Sequence, residues 1–216
     1  SDMPPDTSTG TGVVVVPFKS PPSLEVAFSP PCELPSTSTK TKGNHNSKLG
    51  TETTKTETAI RGMLIKEGIT VIAGGGYQGK TTLLRALASG HLNRVEGDGR
   101  EYAVTVDNLS TLRAEDGRHV NSLDISAFIS DLPVASGLNN TNFSTQNASG
   151  STSQASAVVE GLEAGVTGFL VDEDTSAVNF MIRDSRMRSL IDRETITPFI
   201  YRVSHLYLDK GISSVV

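Results

Sequence analysis

The chain has a single cysteine, Cys32, in 216 residues. A lone thiol has no internal partner, so a disulfide framework is excluded. That usage fits a reducing, intracellular compartment better than a secretory one, with cytoplasm and mitochondrion both open. Long apolar runs are missing too. Nothing approaches the roughly 20 residues that span a bilayer, and Val13–Val16 stops at Pro17. No signal-peptide pattern is present. Positive charge is also short: 19 basic against 24 acidic side chains leave a net charge of −5. A general electrostatic pull toward nucleic acid or anionic membrane is thereby excluded, and only a local basic patch could act so. There is no internal repeat. The chain starts at Ser1 rather than Met, and Ile212–Val216 reads as the beginning of a buried strand. The expectation is a piece of something longer.

The length suffices for one domain with a real core. Residues 1–12, polar and rich in Thr, Gly and Pro, read as disordered. Val13–Phe18 and Leu24–Phe28, separated by Pro21-Pro22, read as edge strands or a hairpin. Residues 36–57 hold one large apolar residue, Leu49, and read as a flexible low-complexity insertion. From residue 61 the pattern changes. Ile69–Ala73 is short, apolar and β-branched, which predicts a buried parallel strand. A glycine-rich turn follows, then a helix over 80–89 with Leu83, Leu84 and Leu87 on one face and Gly90 past its end.

A second such unit follows further on. Ala155, Val158, Val159 and Leu162 have helical spacing within 151–164, and Gly165 fits the stop. Phe169–Val171 predicts a buried strand that ends in Asp172-Glu173. Thr197 as N-cap and Pro198 at the first helical position open a further helix. Phe199, Ile200, Val203, Leu206 and Tyr207 line its face, and Gly211 ends it. Alternating strands and helices predict an α/β domain with a mainly parallel sheet.

Gly74-Gly75-Gly76-Tyr77-Gln78-Gly79-Lys80-Thr81 matches G-x-x-x-x-G-K-[ST] without a gap, and Thr82 follows it on the helix. Each part has a physical purpose. Glycines let successive backbone N–H groups turn inward around phosphate oxygens, and the helix behind presents its positive end. Lys80 would reach the β/γ-phosphates of ATP, and Thr81 would offer a hydroxyl to Mg²⁺. The competing G-x-G-x-x-G reading uses Gly74, Gly76 and Gly79, with Glu96 as a ribose-binding acid. It leaves Lys80 and Thr81 without a purpose.

At the end of the apolar strand, Asp172 is placed to hold Mg²⁺ and Glu173 to polarise an attacking water. Two solvent-facing acids at a strand end are the plain alternative. Ser149-Gly150-Ser151-Thr152 precedes a helix, where a serine normally caps the helix and where N–H groups can also bind an anion.

Taken in order, Lys80-Thr81, Ser149-Gly150 and Phe169–Ala177 resemble an ABC ATPase. The segments 97–101, 113–118, 147–155 and 179–184 resemble the predicted ATPases of the ABC class. That family includes an RNA-binding mitochondrial RNA-editing factor of kinetoplastids. The resemblance runs from about residue 13 to the end. It implies an α/β P-loop NTPase fold of ABC-ATPase type, truncated here, with a small N-terminal antiparallel β subdomain. It implies a soluble ATPase whose nucleotide-driven dimer closure acts on a partner, with RNA as a candidate. By the same resemblance Lys80 and the loop bind phosphates, Thr81 and Asp172 hold Mg²⁺, and Glu173 is the base or water-positioning residue. Ser149, Gly150 and Ser151 would meet the γ-phosphate held by a second subunit. Glu115 stands where these enzymes carry the Q-loop glutamine and could approach the metal.

The chain also departs from the pattern. Ser151-Thr152 replaces the Gly-Gln of the signature, so Ser151-Thr152-Ser153-Gln154 is an alternative frame. Asn179 stands where transporters often have Asp, and the histidine switch would lie beyond residue 216. Phe18 and Phe28 are candidates to contact adenine. Arg183, Arg186, Arg188 and Arg193 are interleaved with Asp184, Asp192 and Glu194, which favours a salt-bridged helix face over an RNA-binding one. Two other functional classes stay open: a P-loop small-molecule kinase, and a nucleotide-gated binding module with little hydrolysis.

Overall fold

The computed structural model describes residues 19–29, 59–95, 97–132, 139–191 and 193–216. The expectations for 1–12, 13–18 and 36–57, and for Cys32, Glu96 and Asp192, lie outside those residues, as does the side chain of Arg188. The described chain forms two compact units, one before Glu67 and one from Glu67 to Val216. In the first, β1 (Glu25–Phe28) pairs antiparallel with β2 (Ile60–Met63), Glu25 opposite Met63 and Phe28 opposite Ile60. Arg61 and Glu25 add a cross-strand ion pair at 3.4 Å.

The second unit is built on a four-stranded parallel sheet. Its strands are β3 (Ile69–Thr70), β4 (Leu109–Leu112), β7 (Gly168–Val171) and β8 (Ser213–Val215), in the spatial order β3-β8-β7-β4. Between β4 and β7 the chain makes an antiparallel pair, β5 (Arg118–Leu123) with β6 (Phe143–Ala148), whose register shifts twice. The helices are α1 (Lys80–Ala88), α2 (Gly150–Glu163), α3 (Val178–Met181), α4 (Ser185–Leu190) and α5 (Phe199–Lys210).

Burial explains the strand pattern. All four residues of β7 are buried, because β4 and β8 flank it on both edges. Such a strand can be uniformly apolar, and Phe169-Leu170-Val171 is. The expectation of a buried strand over Ile69–Ala73 needs correction. Only Ile69 and Thr70 pair as a strand, although Ile72 N also donates to Val216 O at 2.7 Å. β3 lies at the edge of the sheet, so it has one neighbour, and Val71 is 70% exposed. The cap of α5 also shifts: Pro198, not Thr197, holds the N-cap position, with no side-chain cap bond. Pro still suits this place because it has no N–H to leave unpaired. All three glycine stops hold: Gly90 follows the C-cap Ser89 of α1, and Gly165 at φ 76° and Gly211 at φ 70° take the left-handed conformation that a β-carbon disfavours.

The core lies between the sheet and the helices α2 and α5 and continues under β5 and β6. It includes Leu112, Val120, Ile125, Val158, Phe169, Val171, Val203 and Ile212. A row of rings, Phe128, Phe180 and Phe199, has centroid separations of 5.3 and 6.0 Å, within the range for favourable tilted contacts. Gly161 admits the ring of Phe169 against α2: a β-carbon there would stand 2.8 Å from Phe169 Cε1. Gly161→Val therefore has a definite sign. Helix propensity alone favours valine, but the overpacked contact should lower unfolding free energy by about 2 kcal/mol. Urea unfolding measures it, and an unchanged or raised midpoint would contradict the contact.

Candidate functional site

The Gly74–Gly79 loop joins β3 to α1, the strand-loop-helix order the motif requires. Gly79, the N-cap of α1, is left-handed at φ 87°. Tyr77 has φ 61° and its side chain stands fully in solvent at the loop tip. Within the loop, Gly75 N donates to Gln78 Oε1 at 2.7 Å. Lys80 Nζ folds back and donates to the carbonyls of Gly74 at 2.7 Å and Gly75 at 2.9 Å. The first helical bond of α1 runs from Leu83 N to Gly79 O. The N–H groups of Lys80, Thr81 and Thr82 thus precede the ladder and point out of the helix end, where an anion is favoured.

Asp172 ends β7 beside α1. Leu84, Arg85 and Ala88 of α1 line one small cavity of about 70 Å³ together with Thr111, Arg113, Leu170, Asp172 and Thr175. Asp172 caps the 3-10 turn Glu173–Thr175, accepting from Asp174 N at 3.4 Å, and Glu173 is exposed. Among the described residues no group of three or more His, Cys, Asp and Glu side chains converges on a point. Mg²⁺ needs only one or two protein oxygens beside phosphate and water. The hydroxyl of Thr81 and the carboxylate of Asp172 supply oxygens of that kind.

Ser149 caps α2. Its Oγ accepts from Thr152 N at 3.4 Å and lies 3.0 Å from Thr152 Oγ1. The helix opens on a groove of about 640 Å³ lined by Ser149, Gly150, Ser151 and Thr152, by Ala114 and Asp116, and by Ser176–Asn179. Ile129, Leu132 and Ile196 form its apolar wall, with Thr195 beside Ile196. Gly150 lies so close to Asp116 that a β-carbon would stand 3.0 Å from its Oδ1. Neither Lys80 nor Thr81 lines this groove.

Glu115 is held on the α2 side. Its backbone N donates to Ser153 Oγ at 2.9 Å, and its carboxylate lies 3.9 Å from Arg118 Nε. It does not line the cavity that holds Asp172. Arg118 also pairs with Glu160 of α2. Of the basic cluster, Arg183 pairs with Glu194 at 2.8 Å and Arg193 with Asp131 at 3.2 Å, as a salt-bridged face requires. Phe28 is exposed on β1.

The sequence reading passed over Asp116 as a wall of the groove and over Gln154 as a buried group. Gln154 could have been found by spacing: it sits next to Ala155 and one turn before Val158, on the face that faces the core.

A strand, a glycine loop, a helix and an acid at the end of a second parallel strand of the same sheet, one strand removed from the first, define a nucleotide-binding P-loop domain of the ATPase type. The P-loop domain of the ABC_ATPase family matches residues 42–216, and the chain belongs to that family. Over 126 residues it is 37% identical to an uncharacterised protein of Methanocaldococcus jannaschii. That stretch is 57% of this chain but 27% of the archaeal protein, so the chain spans only a part of that relative's length. Among the described residues no helix is long and apolar enough to cross a membrane.

The cap on α2 can be tested apart from any ligand. Ser149→Ala removes the acceptor for Thr152 N, and loss of an N-cap costs about 1 kcal/mol. Chemical denaturation without nucleotide should show that loss. Unaltered stability would mean that the cap bond is not formed in solution.

Proposed function

We propose that this chain is the nucleotide-binding core of an ATPase that hydrolyses Mg-ATP in sites shared between two copies. The observation that carries the reading is the separation of two helix N-termini, those of α1 and α2, in one chain. The α1 end carries Lys80, and neither Lys80 nor Thr81 lines the groove on which the α2 end opens. Each copy thus carries a cradle and a cover that do not meet within the same chain. ATP held at the first loop leaves γ-phosphate oxygens facing water. The N–H groups of Gly150 and Ser151 and the hydroxyl of Ser149, brought by a second copy, satisfy that charge. Two facing copies do this twice, which gives a closed two-fold pair.

Within each site Lys80 exchanges its loop carbonyls for phosphate oxygens, and Gly74–Gly79, Thr81 and Thr82 direct N–H groups at the same anion. Thr81 and Asp172 would hold Mg²⁺, which neutralises phosphate charge when bound. Glu173, exposed at the turn after β7, accepts a proton from the attacking water or orients it. Glu115 reaches the metal only if it leaves Arg118. ADP lacks the γ-phosphate, so hydrolysis removes the charge that the α2 end binds, and the pair loosens. RNA enters as the partner on family resemblance alone. Filter binding with the full-length protein tests it, and no RNA retention at low salt would remove it.

Lys80→Ala should weaken Mg-ATP binding at least tenfold in calorimetric titration, since the loop loses its one phosphate-facing charge. Equal affinity would refute the assignment of the loop. Glu173→Gln should retain ATP binding and lose most turnover, because an amide cannot take the proton. Wild-type turnover would end the catalytic role of Glu173, and negligible turnover in the wild type would favour the nucleotide-gated binding module. In the Glu173→Gln background, sedimentation should show pairs with Mg-ATP and monomers with Mg-ADP, and Ser149→Arg should block the pairs. Pairs that form equally with ADP, or that survive Ser149→Arg, would sink the shared-site reading.

A further inference from the structure

Gln154 lies one turn into α2 with its side chain wholly buried. A buried primary amide must place its donors and its acceptor on partners, or its burial is costly. Gln154 sends both ends to the segment after β7. Oε1 accepts from Ala177 N at 2.8 Å, and Nε2 donates to Ser176 Oγ at 3.0 Å. Ser176 Oγ donates onward to the carbonyl of Asp172 at 2.8 Å. The next residue back, Ser153, ties α2 to the other neighbouring loop. It accepts from Glu115 N at 2.9 Å and donates to Gly150 O at 2.8 Å. The two loops are themselves joined by Ala114 N to Thr175 O at 2.9 Å. Three segments are therefore linked by hydrogen bonds with no side chain longer than a glutamine between them.

We infer that Gln154 is a positioning residue that couples the two ATP sites of a pair. It makes the α2 end, which covers the partner's γ-phosphate, and the Asp172–Ala177 segment, which serves the chain's own nucleotide, move as one piece. The inference rests on the shared-site reading above. Closure of α2 on one nucleotide pulls or releases Ser176 and Ala177 through the amide, and the turn that carries Glu173 follows. An apolar side chain of similar volume would fill the same space beside Met181. It would not fix the orientation of the turn. Buried hydrogen bonds add little net stability, about 1 kcal/mol each, while their directionality sets geometry. Catalysis is sensitive to that geometry, since a displacement near 1 Å at a reacting group costs about a hundredfold.

The experiment uses the full-length protein with Mg-ATP. Gln154→Met removes both bonds at nearly constant volume, and Gln154→Glu keeps the acceptor for Ala177 N. Ser176→Ala cuts only the branch to Asp172 and carries the test should Gln154→Met fail to fold. Expected for Gln154→Met is a kcat lowered about ten- to a hundredfold. KM for ATP should stay within about twofold, and pair formation in the Glu173→Gln background should be retained. Gln154→Glu should recover part of kcat, and Ser176→Ala should lower it less than Gln154→Met. Any Hill coefficient above one for ATP should fall toward one in Gln154→Met. Wild-type kcat in both Gln154→Met and Ser176→Ala overturns the coupling. So does a parallel fall of Tm, ATP affinity and kcat in both, which marks Gln154 as a packing element only. Should Ser149→Arg block pairing while both variants turn over normally, the coupling alone fails. Pairing that ignores Ser149→Arg removes the shared-site reading and the coupling together.

Discussion

The arrangement depends on one strand that has no free surface. β7 is held between β4 and β8 with every residue buried, and Gly168 fits because a β-carbon would stand 2.9 Å from Leu109 Cδ2 and 3.2 Å from Ser213 O. On one face its Phe169 ring presses into the space left by Gly161 of α2. At its end the chain must leave the sheet, and it does so at Asp172, beside α1. A strand buried on both faces and both edges cannot slide by one residue without sending every side chain to the wrong face. The position of Asp172 is therefore fixed by packing rather than by any contact the acid makes itself.

This also explains which parts were legible in the sequence. Phe169–Val171 is apolar throughout because all its surroundings are, and the run stands out against the polar turns around it. The glycine loop is legible for a different reason: only glycine and a helix end can crowd N–H groups around one anion. Both features are local. Ile69–Ala73 carries the same apolar signal, yet it lies at an edge, and composition does not encode which strands become neighbours. The pair β5–β6 was not legible at all. Arg118–Leu123 and Phe143–Ala148 have only two buried residues each, and their register shifts break the period-two pattern.

Within the site, the split follows the range of the interactions. Lys80, Thr81, Asp172 and Ser149 could be singled out from motif and spacing, because each sits at the end of its own element. Asp116 could not, since it becomes a wall of the groove only when the loop after β4 meets the start of α2. Glu115, which the family resemblance sets near the metal, has its carboxylate 3.9 Å from Arg118 Nε, three residues on.

The two helix ends also differ in how they hold themselves without an anion. At α1 the ammonium of Lys80 satisfies the carbonyls of Gly74 and Gly75, so the loop is shaped by a cation that a triphosphate can draw away through stronger, charge-assisted bonds. At α2 the Ser149 hydroxyl occupies Thr152 N through a long bond of 3.4 Å, and the carboxylate of Asp116 lies close by. A carboxylate near a helix N-terminus is favoured by the same partial charge that favours phosphate. It also repels a second anion brought to that place. The loop before α1 thus carries a cation, Lys80, whereas the start of α2 has a carboxylate, Asp116, beside it. On the shared-site proposal, these charges would favour nucleotide at the first end before cover by the second.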